Sequence, residues 1–209
     1  MKICLYDSGL GVISFLHQAI KCHYNHEYYL LIDKENFPYG NKTDQELKNI
    51  LIAQLEKISQ LNIDYLFICC NTMSRIFNQL QIKTDFKVRT ILDINLKYLN
   101  QDNYLLATSS VKSFYPKRVI DGENLASFIE KNNIINIIKF IKKINNNIIL
   151  SCTHYHLIKP LLDYYNVDYH SYENEIFNGL DSGCEFEIYV KKEDLSLIKK
   201  FIKLDIKIY

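Results

Sequence analysis

Tryptophan is absent from the 209 residues, and glycine and proline are scarce, at six and three. None of the glycines falls into G-x-G-x-x-G, which argues against a dinucleotide site. There is no charge excess either. Lys+Arg number 25 against 24 Asp+Glu, a formal charge of +1, so no electrostatic footprint points to nucleic acid or an anionic membrane. No apolar run approaches the ~20 residues of a membrane span. Met1-Lys2-Ile3-Cys4-Leu5-Tyr6-Asp7 meets an acid too early for a secretory leader, so a cytoplasmic location is expected. The six cysteines (Cys4, Cys22, Cys69, Cys70, Cys152 and Cys184) contain no C-x-x-C pair, and free thiols are expected in that compartment.

What is present is a globular composition, 48% hydrophobic and 23% charged. At ~150 residues per domain the length allows a pair of small lobes. Short apolar runs at Ile3–Tyr6, Tyr28–Ile32, Tyr65–Cys69, Val88–Leu92, Tyr104–Ala107 and Ile148–Ser151 read as buried strands. Amphipathic helices lie between them. Thr43 and Glu46 form a capping box ahead of Leu47, Ile50, Leu51, Leu55 and Ile58 at helical spacing. The Lys/Asn/Ile-rich stretch from Lys131 to Asn147 keeps helical periodicity and reads as a packed helix. Alternation of this kind predicts an α/β fold of mostly parallel sheets flanked by helices, with ligands beyond the carboxyl ends of the strands.

Three strand ends there carry chemistry. Asp7-Ser8-Gly9-Leu10-Gly11 follows the first strand; it is either an anion-tolerant turn or simply a helix cap. Cys70-Asn71-Thr72 and Cys152-Thr153-His154 end two apolar strands of similar sequence. Their cysteines lie 152 − 70 = 82 residues apart, about one small lobe. Thiols at strand ends, beside neutral donors and acceptors, suit proton transfer to a polar ligand. A buried cysteine is more often a small hydrophobe, and that is the expectation for Cys4, Cys22 and Cys69. Cys152, His154 and His156 would share one face of an extended segment and offer a metal site. Isolated spacing is weak evidence for one, and no metal is expected.

In this order, Asp7-Ser8-Gly9, Pro38-Tyr39-Gly40-Asn41-Lys42, Cys70-Asn71-Thr72, Ala107-Thr108 and Cys152-Thr153-His154-Tyr155 resemble the glutamate racemases of the aspartate/glutamate racemase superfamily. Glu187–Val190 and Lys191–Phe201 are similar to that family's last strand and helix. The resemblance implies two α/β lobes with the active site in the cleft between them. Residues 1–94 with 169–209 would form the first, and residues 95–168 a shortened second. It implies a cofactor-independent isomerase that interconverts L- and D-glutamate, with Cys70 acting on the D- and Cys152 on the L-enantiomer. Asp7 and His154 would assist the thiols. Asp7, Ser8, Tyr39, Gly40, Asn71, Thr72, Thr153 and His154 would cage the substrate, and Glu130 would match a further family carboxylate. The family role is supply of D-glutamate for peptidoglycan of the cell wall, and a homodimer is compatible with it.

The departures are Gly11-Val12 for a Gly-Gly pair, Asn36-Phe37 where an arginine is usual, Val111 for a threonine, and Asp93 for a glutamate. The stretch between Ala107 and Cys152 is also short. These keep two alternatives open: a racemase of another small amino acid such as aspartate, and a non-catalytic binding or regulatory derivative of the fold.

Overall fold

The computed structural model describes residues 1–209. The chain runs β1 (Lys2–Asp7), α1 (Val12–Lys21), β2 (Glu27–Ile32), α2 (Asp44–Ser59), β3 (Tyr65–Ile68), α3 (Asn71–Leu80), β4 (Lys87–Thr90) and α4 (Ile91–Tyr98). It continues through β5 (Tyr104–Ala107), α5 (Ser109–Phe114), β6 (Val119–Asp121), α6 (Leu125–Glu130), α7 (Ile134–Ile141) and β7 (Ile148–Leu150). The remaining elements are α8 (Lys159–Tyr164), β8 (Tyr169–His170), β9 (Glu187–Val190), α9 (Leu195–Ile198) and β10 (Lys207–Ile208). Six strands form one sheet in the order β10-β9-β2-β1-β3-β4, and four form a second, β6-β5-β7-β8. Every pairing is parallel. None of the helices is long and apolar enough to cross a membrane.

Period-two alternation divides the first sheet between two cores. Ile3, Leu5, Phe67 and Cys69 pack on one face with Val12, Phe15 and Leu16 of α1. Cys4, Tyr6, Leu66, Ile68 and Cys70 pack on the other, with Leu47 and Leu51 of α2 and Met73 and Ile76 of α3. Burying each large side chain contributes roughly 1.5–3 kcal/mol, which is why near-continuous apolar runs become strands covered on both faces. Cys69 and Cys70 therefore point to opposite sides of the sheet. Helix α2 begins at the expected box, with the Thr43 side chain accepting from Glu46 N while Glu46 accepts from Thr43 N.

Two expectations are corrected. The strand expected over Val88–Leu92 stops at Thr90, because the Thr90 hydroxyl accepts from Asp93 N and caps α4, which begins at Ile91. The helix expected over Lys191–Phe201 is broken into a 3-10 turn, Lys192–Asp194, and the single turn of α9. The residues beyond it run into β10, which pairs with the free edge of β9 and makes the sheet one strand wider than expected.

Candidate active site

Four strand ends meet at one pocket. Ser8 follows β1, Cys70 follows β3, Thr108 follows β5 and Cys152 follows β7; all four line it. Two of these strands belong to each sheet. Parallel strands present their carboxyl ends on the same side, so the loops and helix starts beyond them converge. A 3-10 turn, Tyr39–Asn41, closes one side, and Glu123 and Asn124 of the β6–α6 connection, with Ser127 on the first turn of α6, close another.

Of the expected site residues, Ser8, Tyr39, Gly40, Cys70, Asn71, Thr72, Cys152, Thr153 and His154 line this pocket. Asp7 does not. It lies fully buried beneath, with Oδ1 accepting from Ser8 N at 2.7 Å. Burial raises its carboxyl to about 6, against the pull of His154 and the Thr153 hydroxyl. The Ser8 hydroxyl is 3.7 Å from Cys70 Sγ. Burial pushes the Cys70 thiol well above its ordinary pKa, and negative charge on Asp7 and on Cys152 adds to the rise. Cys70 is thus held as a protonated thiol.

The Cys152 side is organised in the opposite sense. His154 Nδ1 lies 3.9 Å from Cys152 Sγ, and its Nε2 lies 2.7 Å from Glu130 Oε2. Burial on its own would lower the imidazole pKa. The contacts with Cys152 and Glu130, and the charges of Cys152 and Asp7, outweigh it and hold the ring at about 10. Phe37 packs against the ring, with centroids 5.3 Å apart.

The Asn71 side chain is buried, lines the pocket and has no partner for either its oxygen or its nitrogen. Buried amides are normally satisfied, so this one is arranged for a polar ligand. Tyr39 differs from expectation in detail. Its hydroxyl donates to Asp33 Oδ2 at 2.6 Å and receives a hydrogen bond from Tyr6 at 2.6 Å, which leaves the phenol no free donor.

The turn after β1 also fits tightly against the Cys152 segment. A Cβ on Gly9 would stand 2.9 Å from His154 Nε2, and one on Gly11 would stand 2.1 Å from Thr153 Oγ1. Neither Asp7 nor Ser8 caps α1; Gly11 is its N-cap residue and no side chain bonds there.

The extended Cys152/His154/His156 face does not form. Residues Thr153–Ile158 make a 3-10 helix, and His156 turns to Leu150 O and Glu173 while His154 turns to Glu130. The Asp93 carboxylate is likewise taken up, accepting from the Thr90 hydroxyl and from Asn78 Nδ2. Residues that the sequence reading passed over are Ser109, Glu123, Asn124 and Ser127, together with Thr108, which it quoted only as part of a motif. Thr108 obeys the strand-end rule and was findable; the other four sit in loops or at helix starts without periodic signal.

No family model matches the chain. It is 29% identical over 187 residues to a glutamate racemase of Prochlorococcus marinus (strain NATL2A), covering 78% of this chain and 71% of the relative. It is 25% identical over 196 residues to that of Clostridium novyi (strain NT), covering 78% and 74%. The crystal structure of glutamate racemase from Campylobacter jejuni superposes with a TM-score of 0.76, at 21% identity and 96% coverage of both chains. The chain is a diverged relative of these enzymes and has their fold.

Proposed function

We propose that this relative of the glutamate racemases is an amino-acid racemase that interconverts L- and D-glutamate, with Cys70 and Cys152 as its two proton-transfer groups. One observation carries the reading: a single pocket has a cysteine from the end of one sheet and a cysteine from the end of the other on its walls. Inversion at Cα needs a base on one face and an acid on the other. Two thiols facing each other supply both without a cofactor.

On this reading turnover starts from one protonated thiol and one that acts as base. Cys70, buried beside Asp7, keeps its proton and is the donor. Cys152, next to the His154 cation, is the base. In that state the enzyme takes L-glutamate: Cys152 removes the Cα proton and Cys70 delivers its own to the opposite face. The D-enantiomer is processed from the complementary state, with the roles exchanged. Ser8, Asn71, Thr72 and Thr153 offer the hydroxyl and amide groups that hold a short dicarboxylic amino acid, and Gly40, with no side chain, leaves room beside the wall it forms. Asp7 acts from below through Ser8 and the charge balance of the thiols. On this reading the lobes are residues 1–94 with 169–209, and 95–168, except that β8, Tyr169–His170, pairs with β7 and so joins the second, and the site works in the cytoplasm.

The experiment is incubation of the purified protein with each glutamate enantiomer in heavy water, following optical rotation and deuterium at Cα. Conversion of both to the racemate with solvent-derived deuterium supports the reading. No exchange from either enantiomer refutes it, and exchange confined to aspartate transfers the activity to the other amino acid.

A further inference from the structure

Behind the Cys152 segment lies a buried ionic cluster that the proton-transfer scheme leaves unused. Glu173, 2% exposed, opens a 3-10 helix, Glu173–Phe177, that packs against α1 and α4. Its carboxylate takes contacts from three separate stretches of chain. His156 Nδ1 lies 2.9 Å from Oε2, Lys159 Nζ pairs with Oε1, and Gln18 Nε2 of α1 reaches Oε1 at 3.4 Å. The Ser171 hydroxyl donates to Oε2. The other ring nitrogen of His156 bonds Leu150 O at 2.9 Å. Both nitrogens of the ring are thus engaged, one by Glu173 and one by the Leu150 carbonyl. Burial works against the charged carboxylate, but His156 and Lys159 hold its pKa well below the usual range.

His156 and Lys159 belong to the run that begins at Cys152, and Leu150 ends the strand before it. Gln18 belongs to the helix that follows the Asp7–Gly11 turn. One carboxylate therefore ties the strand end bearing Cys152 to the helix behind the opposite wall of the pocket. We propose that Glu173 is a positioning residue: by clasping His156 and Lys159 it fixes the 152–156 backbone, and so holds Cys152 and His154 in register with the wall bearing Ser8 and Cys70. The inference rests on the racemase reading only for its effect on turnover; the geometry of the clasp stands apart from it.

The test measures thiol accessibility and kinetics on the full chain. Wild type and Glu173→Gln are treated with iodoacetamide, and labelling of each cysteine is timed by peptide mass spectrometry. The exposed Cys22 and Cys184 serve as references. Cys152 is 5% exposed and Cys70 is 7% exposed. Loosening the clasp should speed labelling of Cys152 at least about fivefold and leave Cys70 within about twofold, because local opening need not involve the rest of the fold. In parallel kcat should fall about tenfold or more with KM nearly unchanged, the signature of a misplaced reacting group rather than of lost binding. Equal acceleration of both thiols would show that Glu173 merely stabilises the fold, and an unchanged Cys152 would also overturn the proposal. Should Glu173→Gln fail to fold, Lys159→Met removes one cation and keeps His156; it must give the same Cys152-selective shift, in smaller degree, or the proposal falls. If wild type does not racemise glutamate yet the selective labelling shift appears, the clasp stands and the functional reading fails.

Discussion

Thr72 and Thr108 meet hydroxyl to hydroxyl at 2.9 Å, one on the first turn of α3 and the other at the end of β5, so the contact runs from one sheet's pocket wall to the other's. One turn further along α3, the buried Arg75 side chain pairs with Asp44 and also donates to Ser110 at 3.1 Å. The two threonines line the pocket along that side, and Arg75 links α2, α3 and α5 next to it.

Thr72→Ala removes a hydroxyl from this contact and from the proposed substrate cage. Losing one such hydrogen bond in an enclosed site costs on the order of 1–3 kcal/mol, or about tenfold and more in catalytic efficiency. The variant should retain the melting temperature of wild type to within a few degrees while kcat/KM drops. Full activity would remove Thr72 from the site.

The thiols make a sharper case. Because mirror-image substrates are equal in energy, the equilibrium constant is one, and loss of either thiol must depress kcat/KM equally in both directions. Half-reactions separate them. Cys152→Ser should retain slow Cα exchange with heavy water from D-glutamate, and Cys70→Ser slow exchange from L-glutamate. Cys69→Ser, whose side chain enters the opposite core, should lose stability but stay active in the folded fraction. Two packing cysteines would show no enantiomer bias.

Gly11→Ala inserts a methyl at 2.1 Å from Thr153 Oγ1 and 2.9 Å from Asp7 Oδ2. The two segments must separate to admit it. Overpacking of this kind typically costs about 1–3 kcal/mol, read as a lowered urea midpoint. Activity should fall further than stability, because Thr153 and His154 move together.

Stability should carry the mark of His154 at alkaline pH. Its folded-state pKa is raised from 6.5 to about 10. The folded protein therefore keeps a proton that the unfolded chain releases, and the stabilisation is complete below 6.5 and disappears as pH rises through the window to about 10. Urea midpoints of wild type and His154→Asn, measured across that range, should converge as the pH increases. A constant difference would show that the ring is neutral throughout.

Much of this architecture was legible because it rests on local rules. Continuous apolar runs such as Tyr65–Cys69 can only be strands covered on both faces, and Thr43 with Glu46 dictates where α2 begins. The catalytic candidates were legible because each directly follows a strand. What escaped was set by side-chain contacts that apolar periodicity does not encode. Thr90 reads equally well as the middle of an apolar run or as a cap, and only Asp93 folding back decides it. Glu130 lies 24 residues before His154, and nothing local shows that they meet. The phenol of Tyr39 looks available until Asp33 and Tyr6 claim it.

The placement of β9 has a consequence for how the molecule assembles. It pairs with β2, yet it begins 187 − 90 = 97 residues after β4, the preceding strand of its sheet. All four strands of the second sheet lie within residues 119–170 and 104–107, so that sheet can form from one contiguous stretch. Pairing distant segments costs closure entropy and is slow relative to local pairing. During synthesis the wall that carries Cys152 can therefore mature while the sheet that carries Cys70 still lacks β9 at its edge. The sheet behind Cys70 is therefore the last of the two to be completed, when the C-terminal segment closes its edge.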